Sequence, residues 1–467
     1  MKRHHDKRSS RPALVISVVT AASLTLAACG PEVTTDPQPT GDTGTTGATE
    51  TANPNRLQAP GDENPTGEIT IWDRSGDLYQ VFDDAIAAFN DKYPNITVHH
   101  EAVDIDAKLQ NTLITGADVP DGVFLDDAKV SSFTEHLWDL TDVLTPYSSD
   151  IAPQKLDVNT IGNSIYGVPF DLDPGLLFYN ATALEEAGID AESIETYDDL
   201  LEAARAYKEF KPESGPIHVE RSEFLGQLQL EMYASQLGTA IADAEGTLRL
   251  DSPEYRQILG FLDTVQEEGL GTRAEYLDPT DLAELENGNQ VFYPWAIWFS
   301  FAPQQLLKDT SGDWRAMELP AWETGGPRSG AMGGSSFVLP KQGENSELAW
   351  LFYEFLMFDE AGYTAVWGPS EIYPTGLNTS IPSYLPASNP NSPLFEPVEA
   401  LGGQDLWAVA TEAGVQIPGS DPIPTWWAGA VDYLGVNLQR MLDGDMTVEE
   451  VISSSTADIQ TNLSDRQ

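Results

Sequence analysis

The sequence predicts an α/β protein whose chain crosses between two lobes, and three observations predict it. Between residues 68 and 127, short strand patterns alternate with amphipathic helix patterns, the order expected of a sheet with helices on its faces. Two apolar runs, one ending at Phe170 and one filling 176–179, are separated by Asp171-Leu172-Asp173-Pro174-Gly175, a breaker cluster that stops them continuing as one strand. At 467 residues the chain is too long for a single core. Asp171 stands at the mouth of the crossing and is expected to face the crevice there, since pockets form preferentially where domains meet. An ordinary hairpin with a solvated Asp is the plainer alternative.

The chain opens with Lys2, Arg3, Lys7, Arg8 and Arg11, followed by an apolar stretch over 14–26 that is too short to span a bilayer. This is the pattern of a signal peptide, assigned to 1–28. Leu26-Ala27-Ala28-Cys29 sets the only cysteine of the chain directly after small residues, similar to the lipobox of bacterial lipoproteins. That resemblance implies cleavage before Cys29 and lipid on its sulfur; a lone exported cysteine has no disulfide partner. Residues 29–66 begin with that cysteine and continue as Thr, Gly, Pro, Asp and Asn, too polar to repay the entropy of folding, and read as a tether. The body is therefore expected outside the cell and soluble.

With 24 basic against 74 acidic residues, the formal net charge is -50, which argues against nucleic acid and against electrostatic adhesion to anionic lipid. It says little of a pocket, because exposed charges are screened beyond about 8 Å at physiological salt.

Glu68-Ile69-Thr70-Ile71-Trp72-Asp73 alternates as a first strand. Leu78, Val81, Phe82, Ile86 and Phe89 fall at helical spacing, closed by Pro94; 96–100 is the next strand, 107–115 the next helix, and 120–127 a buried strand. The order predicts a mostly parallel sheet, in which ligands sit beyond the carboxyl ends of strands. Trp72, Asp73, Asp126 and Asp127 fall there. The two aspartates point to opposite faces, so one is expected to accept ligand hydroxyls while the other caps a helix, and Asp126 is the choice for the ligand.

Ile69-Thr70-Ile71-Trp72, Tyr93-Pro94-Asn95-Ile96-Thr97-Val98, Tyr166-Gly167-Val168-Pro169-Phe170-Asp171, Phe178-Tyr179-Asn180, Leu285-Glu286-Asn287-Gly288 and Gly333-Gly334 occur in an order and spacing that resembles the extracellular solute-binding proteins of sugar ABC transporters, the maltose-binding-protein-like family. The resemblance covers about residues 67 to 460 and lies in the order of the motifs, none of which is specific alone. It implies a two-lobed periplasmic-binding-protein type II fold with discontinuous lobes. Carried over, the N-terminal lobe is 67–170 plus 336–385 and the C-terminal lobe 174–333 plus 386–467, hinged near Asp171 and near Gly333-Gly334. Glycines there also suit a backbone that must rotate or approach a ligand closely.

The same resemblance suggests site residues. A stacking tryptophan is expected in Phe292-Tyr293-Pro294-Trp295-Ala296-Ile297-Trp298-Phe299, with Trp298 the better match and Trp295 the second. A second platform is expected at Trp426-Trp427, with Trp427 preferred because adjacent side chains diverge. Asp171 matches an acidic hinge-side position, and Asp73 with Arg74 the polar contacts of the first strand. Trp367 and Tyr373 fall where the chain returns to the first lobe and are candidates for packing or for the cleft. In 224–236, Gln229, Glu231 and Tyr233 are candidates for the second lobe's wall, against a solvated helix face. One ring covering roughly 50 to 100 Å² of sugar contributes about 1 to 2.5 kcal/mol, whereas micromolar binding needs about 8. Charge-assisted hydrogen bonds must therefore supply the rest.

Catalytic patterns are weak: there is no convincing nucleophile elbow, no phosphate loop, and no metal-ligand spacing among six histidines. No cofactor is expected. Together with the lipobox, the resemblance implies a monomeric, lipid-anchored receptor on the outer face of the membrane that captures a sugar or oligosaccharide and offers it to an ABC permease. A secreted hydrolase with paired carboxylates is the alternative, a structural lipoprotein a third class, and a polyol or glycerophosphodiester ligand stays open.

Overall fold

The computed structural model describes residues 54–463 apart from 75, 244–245, 389–393 and 420–422. The expected signal peptide, Cys29 and the expected tether as far as residue 53 lie outside the described residues. The tether's described end is attached to the body: Leu57 is buried, its amide donates to the Asp139 carbonyl at 2.9 Å, and Arg56 pairs with Asp139 and Asp142.

In chain order the elements that position the site begin with β1 (Gly67–Asp73), α1 (Asp77–Lys92), β2 (Ile96–Ala102), α2 (Ile105–Thr115), β3 (Gly122–Asp126), α3 (Asp127–Val130) and α4 (Pro153–Asn159). The crossing follows as β4 (Val168–Pro169), β5 (Asp171–Leu172) and β6 (Gly175–Asn180). Then come α5 (Glu223–Gln236), α6 (Pro279–Glu286), β7 (Phe292–Ala296), β8 (Trp314–Glu318), β9 (Ser335–Val338), α7 (Ser346–Phe358), β10 (Ile381–Pro382) and α8 (Trp427–Ala430).

The sheet of the first lobe has the order β2-β1-β3-β9-β4. Strands β1, β2 and β3 are parallel, as the alternating pattern predicts, and β9 then enters antiparallel to both β3 and β4. The second sheet, β8-β6-β7, is antiparallel throughout, so the mostly parallel expectation holds only for the first three strands. The reason is connectivity: β6 pairs with strands that reach it from the opposite end, without the right-handed crossover that a parallel pair requires.

Strands β4, β5 and β6 are consecutive in the chain yet lie in three different sheets, with β5 pairing β10 in a two-stranded ribbon between the other two. Asp173 and Pro174 end one pairing and Gly175 starts the next, which is why the breaker cluster marks the passage between lobes. The apolar side chains divide accordingly. One core joins β1, α1, α7 and Phe170, where Phe82, Phe124, Phe170 and Phe337 meet edge-on or tilted with ring centres 5.0 to 5.5 Å apart. The other gathers β6, β7, α5 and the helices near the C-terminus. The fold is the two-lobed α/β arrangement with discontinuous lobes. No helix among the described residues is long and apolar enough to cross a membrane.

Candidate ligand-binding site

A cavity of about 600 Å³ opens between the two lobes, within the range of small-molecule sites. Its first wall is polar. β1 and β3 end side by side, delivering Arg74 and Asp126, and the Arg74 guanidinium pairs with Asp126 while donating to Ser335 Oγ at 2.8 Å. Burial alone would raise the Asp126 carboxyl, but Arg74 and Lys129 hold it below the usual range.

Behind this pair, α4 places the Lys155 ammonium in contact with Asp127, 3.9 Å from Asp171 Oδ1 and 3.4 Å from the Ser335 carbonyl. Asp127 also accepts from Ser336 Oγ at 2.6 Å, and Asp171 accepts from the Ser335 amide at 2.7 Å. Gly333 and Gly334 have φ of +80° and +104°, and a Cβ on Gly334 would stand 2.7 Å from Lys155 Nζ and 2.8 Å from Asp127 Oδ2. Only glycine fits this backbone against the ion pair.

Two further acids are more neutral than usual. Burial raises Asp171 to about 6, with Lys155 opposing and Asp127 adding to the rise. Asp173 is raised well above the ordinary carboxylate value, first by burial and then by Asp171. Its Oδ1 is buried without a hydrogen-bond partner.

The opposite wall comes from α5, the 276–277 turn, the segment after β7, and α8. It presents Leu225, Leu228, Tyr276, Trp298 and Trp427, with Glu231 as its acid. Glu231 accepts from Tyr255 Oη at 3.0 Å; burial raises it to about 7 against that bond and the Trp427 indole. The site thus combines aromatic and aliphatic faces with acids that are either tied to a cation or raised above the ordinary carboxylate value by burial. That chemistry suits a neutral ligand with flat apolar faces and many hydroxyls.

Of the sequence-predicted residues, Arg74, Asp126, Asp171, Glu231, Trp298, Gly333, Gly334 and Trp427 line this cavity together. Six others do not. Trp72 points to the far side of the sheet, where its indole donates to Glu101 at 3.2 Å and Lys108 lies over its ring. Asp73 is fully buried, accepting from the Arg74 amide at 2.7 Å, so it holds the strand end that carries Arg74. Tyr233 is packed in the second core against Tyr197, Phe261 and Trp322. Trp295 is 0% exposed and sits one layer behind the cavity, stacked on Tyr276 and edge-on to Trp298. Trp367 stacks on Phe170 at 4.8 Å, and Tyr373 is buried in the same core. Alternation decides the outcome for Trp72, Asp73 and Trp295, since on a strand one position in two faces the core; Tyr233 and Trp367 lie on the core side of helices.

Lys155, Asp173 and Tyr276 were missed. The signal for Asp173 was present in the breaker cluster itself, two residues from Asp171. Lys155 and Tyr276 lie in a short helix and a turn with no pattern of their own. Among the described residues no cluster of His, Cys, Asp or Glu is arranged to hold a metal ion.

The sequence profile of the bacterial extracellular solute-binding proteins matches residues 73–363. An arabinooligosaccharide-binding protein of Halalkalibacterium halodurans is 27% identical over 316 residues, covering 64% of this chain and 69% of the relative. One of Bacillus subtilis is 25% identical over 318 residues, covering 64% and 71%. In structure, the chain is similar to the galacto-N-biose-/lacto-N-biose I-binding protein of a Bifidobacterium longum ABC transporter in complex with lacto-N-biose. The TM-score is 0.71 at 20% identity, over 86% of this chain and 98% of that one.

Proposed function

The chain belongs to the bacterial extracellular solute-binding protein family, and from that premise we propose that it captures a neutral oligosaccharide between its lobes and presents it to the permease of an ABC importer. The observation that carries this reading is the cavity wall of Trp298, Tyr276 and Trp427 facing the Arg74, Asp126 and Lys155 cluster across about 600 Å³. Rings cover the C–H faces of sugar units, and the opposite cluster takes their hydroxyls. The relatives' names support an arabinooligosaccharide as the ligand class. Capture works by population shift: a ligand touching both walls binds the closed arrangement better than the open one.

The lobes are taken as 67–170 plus 336–385 and 174–333 plus 386–467, turning about Asp171 and Gly333-Gly334. Of the expected contacts we retain Arg74, Asp126, Asp171, Trp298, Gly333, Gly334 and Trp427. The hydrolase alternative has no support in the family, and the acids of the cluster, Asp126 and Asp127, are engaged by Arg74, Lys129 and Lys155. We further read the protein as a monomer held on the outer face of the cell membrane by lipid at Cys29.

Intrinsic tryptophan fluorescence, titrated with arabinotriose and with a panel of other di- and trisaccharides, tests the reading. Saturable quenching with the sugar recovered intact supports it; cleavage of the sugar, or no response across the panel, overturns it. Replacing Cys29→Ser should release the protein from the membrane fraction into the medium, and retention would remove the lipid anchor.

A further inference from the structure

His218 is fully buried in the second lobe, outside the cavity, between two carboxylates. Its Nε2 lies 3.4 Å from Glu220 Oε2 and its Nδ1 3.5 Å from Asp281 Oδ1, separations of ion pairs rather than well-aligned hydrogen bonds. The His218 amide donates to the Phe292 carbonyl at 2.9 Å, and its ring stacks on Tyr293 at 3.9 Å, so the imidazole is fixed against β7.

Both carboxylates also reach one turn, besides accepting from the Ser222 amide (Glu220) and from Gln290 Nε2 and the Tyr293 hydroxyl (Asp281). Glu220 Oε2 accepts the Tyr276 amide at 2.9 Å, and Asp281 Oδ2 accepts the Leu277 amide at 2.9 Å. Leu277 has φ of +54°, a left-handed conformation that a side chain other than glycine rarely adopts without local support. This strained turn carries Tyr276 and Leu277 into the cavity wall, with the Tyr276 ring 4.8 Å from Trp298 and edge-on to it.

We propose that the Glu220–His218–Asp281 triad is a positioning device for the ligand site: the imidazolium holds two carboxylates where they clamp the Tyr276–Leu277 turn, and so sets the angle between the Tyr276 and Trp298 rings. His218 acts through the carboxylates and touches no ligand. A buried charge triad is a poor means of adding stability, since well-packed apolar side chains of the same volume do as well or better. Its yield here is geometric: Glu220 Oε2 meets both the imidazole and the Tyr276 amide, while Asp281 turns one oxygen to the imidazole and the other to the Leu277 amide.

The titratable groups facing the imidazole are Glu220 from its own segment, Asp281 from α6 and Tyr293 from β7. Burial would lower the imidazole, but Asp281 and Glu220 raise it to about 9. Asp281 falls below the usual carboxylate value, because His218, the Leu277 amide and the Tyr293 hydroxyl outweigh its burial. Tyr293 stays neutral, pushed well up by burial and then by Asp281. The clamp is therefore charged at neutral pH and loses its cation above about pH 9.

The proposal rests on the cavity being a sugar site, and its test separates the two. In the full chain, His218→Gln should lower hydrogen-exchange protection of the Tyr276 and Leu277 amides at least tenfold, leaving the helix Pro253–Glu267 unchanged. Arabinotriose affinity of the wild type should fall at least fivefold between pH 7.5 and 10, while H218Q is already that weak at pH 7.5 and flat above it. Unchanged protection at the two amides, protection lost evenly across the lobe, or a pH profile shared by both proteins overturns the proposal. If the wild type binds no sugar, the function reading fails and the amide protection alone decides the clamp.

Discussion

The Lys129 ammonium of the first lobe lies 5.0 Å from the centre of the Phe224 ring, which belongs to α5 of the second. Close by, Ser132 Oγ donates to the Thr425 carbonyl at 2.8 Å, so the lobes touch beside the cavity as well as at the hinge. A cation over a ring contributes about 0.5 to 1 kcal/mol at an exposed site and more at a part-buried one such as this. Replacing Lys129→Met should therefore speed ligand release about two- to fivefold in stopped-flow fluorescence. An unchanged release rate would mean that this contact does not help hold the closed form.

Trp298 and Trp295 are three residues apart and predict opposite phenotypes. Trp298→Ala, at the cavity wall, should weaken sugar binding at least tenfold in calorimetry with little change in melting temperature. Trp295→Ala, in the layer behind, should cost about 3 to 5 kcal/mol of stability and lower the melting temperature by several degrees. Reversed behaviour would put the wrong ring in the site.

At Gly334 any side chain meets both a left-handed backbone and the Lys155–Asp127 pair. Gly334→Ala is expected to destabilise the protein by about 1 to 3 kcal/mol and to weaken binding, because Arg74 and Asp171 both depend on the adjoining Ser335. Urea unfolding followed by titration reads both effects.

Stability should decline from mildly acidic to alkaline pH. Asp171 and Glu231 have folded values raised to about 6 and about 7, so what they contribute is complete below the ordinary carboxylate value and is lost as pH rises through 6 to 7. His218, raised to about 9, adds stability that is complete below about 6.5 and is lost through pH 9. Asp126 and Asp139 are lowered and act in the other direction only below about pH 4. A melting-temperature maximum near pH 5, with descent towards pH 10, is the expected scan; a maximum above pH 8 would contradict these assignments.

The crossing was legible because proline, glycine and two aspartates interrupt apolar runs, so no single strand runs through it and only the two-residue β5 forms within it. The first three strands were legible from period-two alternation, and Trp298 from its distance to Asn287-Gly288. Trp72 and Trp295 show the limit: an aromatic residue next to a cavity and one behind it have the same local pattern, and only the sheet's facing decides between them. Lys155 and Tyr276 were out of reach for a different cause. Each acquires its role from partners far along the chain, Lys155 from Asp127 and Ser335, and Tyr276 from Glu220 and Trp298.

Strand β9 lies inside the first lobe's sheet, between β3 and β4, although the chain makes it only after β6, β7 and β8 have supplied the whole of the second sheet. An emerging N-terminal half therefore lacks an interior plank of its own sheet and cannot close it alone. The sheet of the first lobe is thereby completed only once the strands of the second exist, so its earliest strands wait longest for their neighbours.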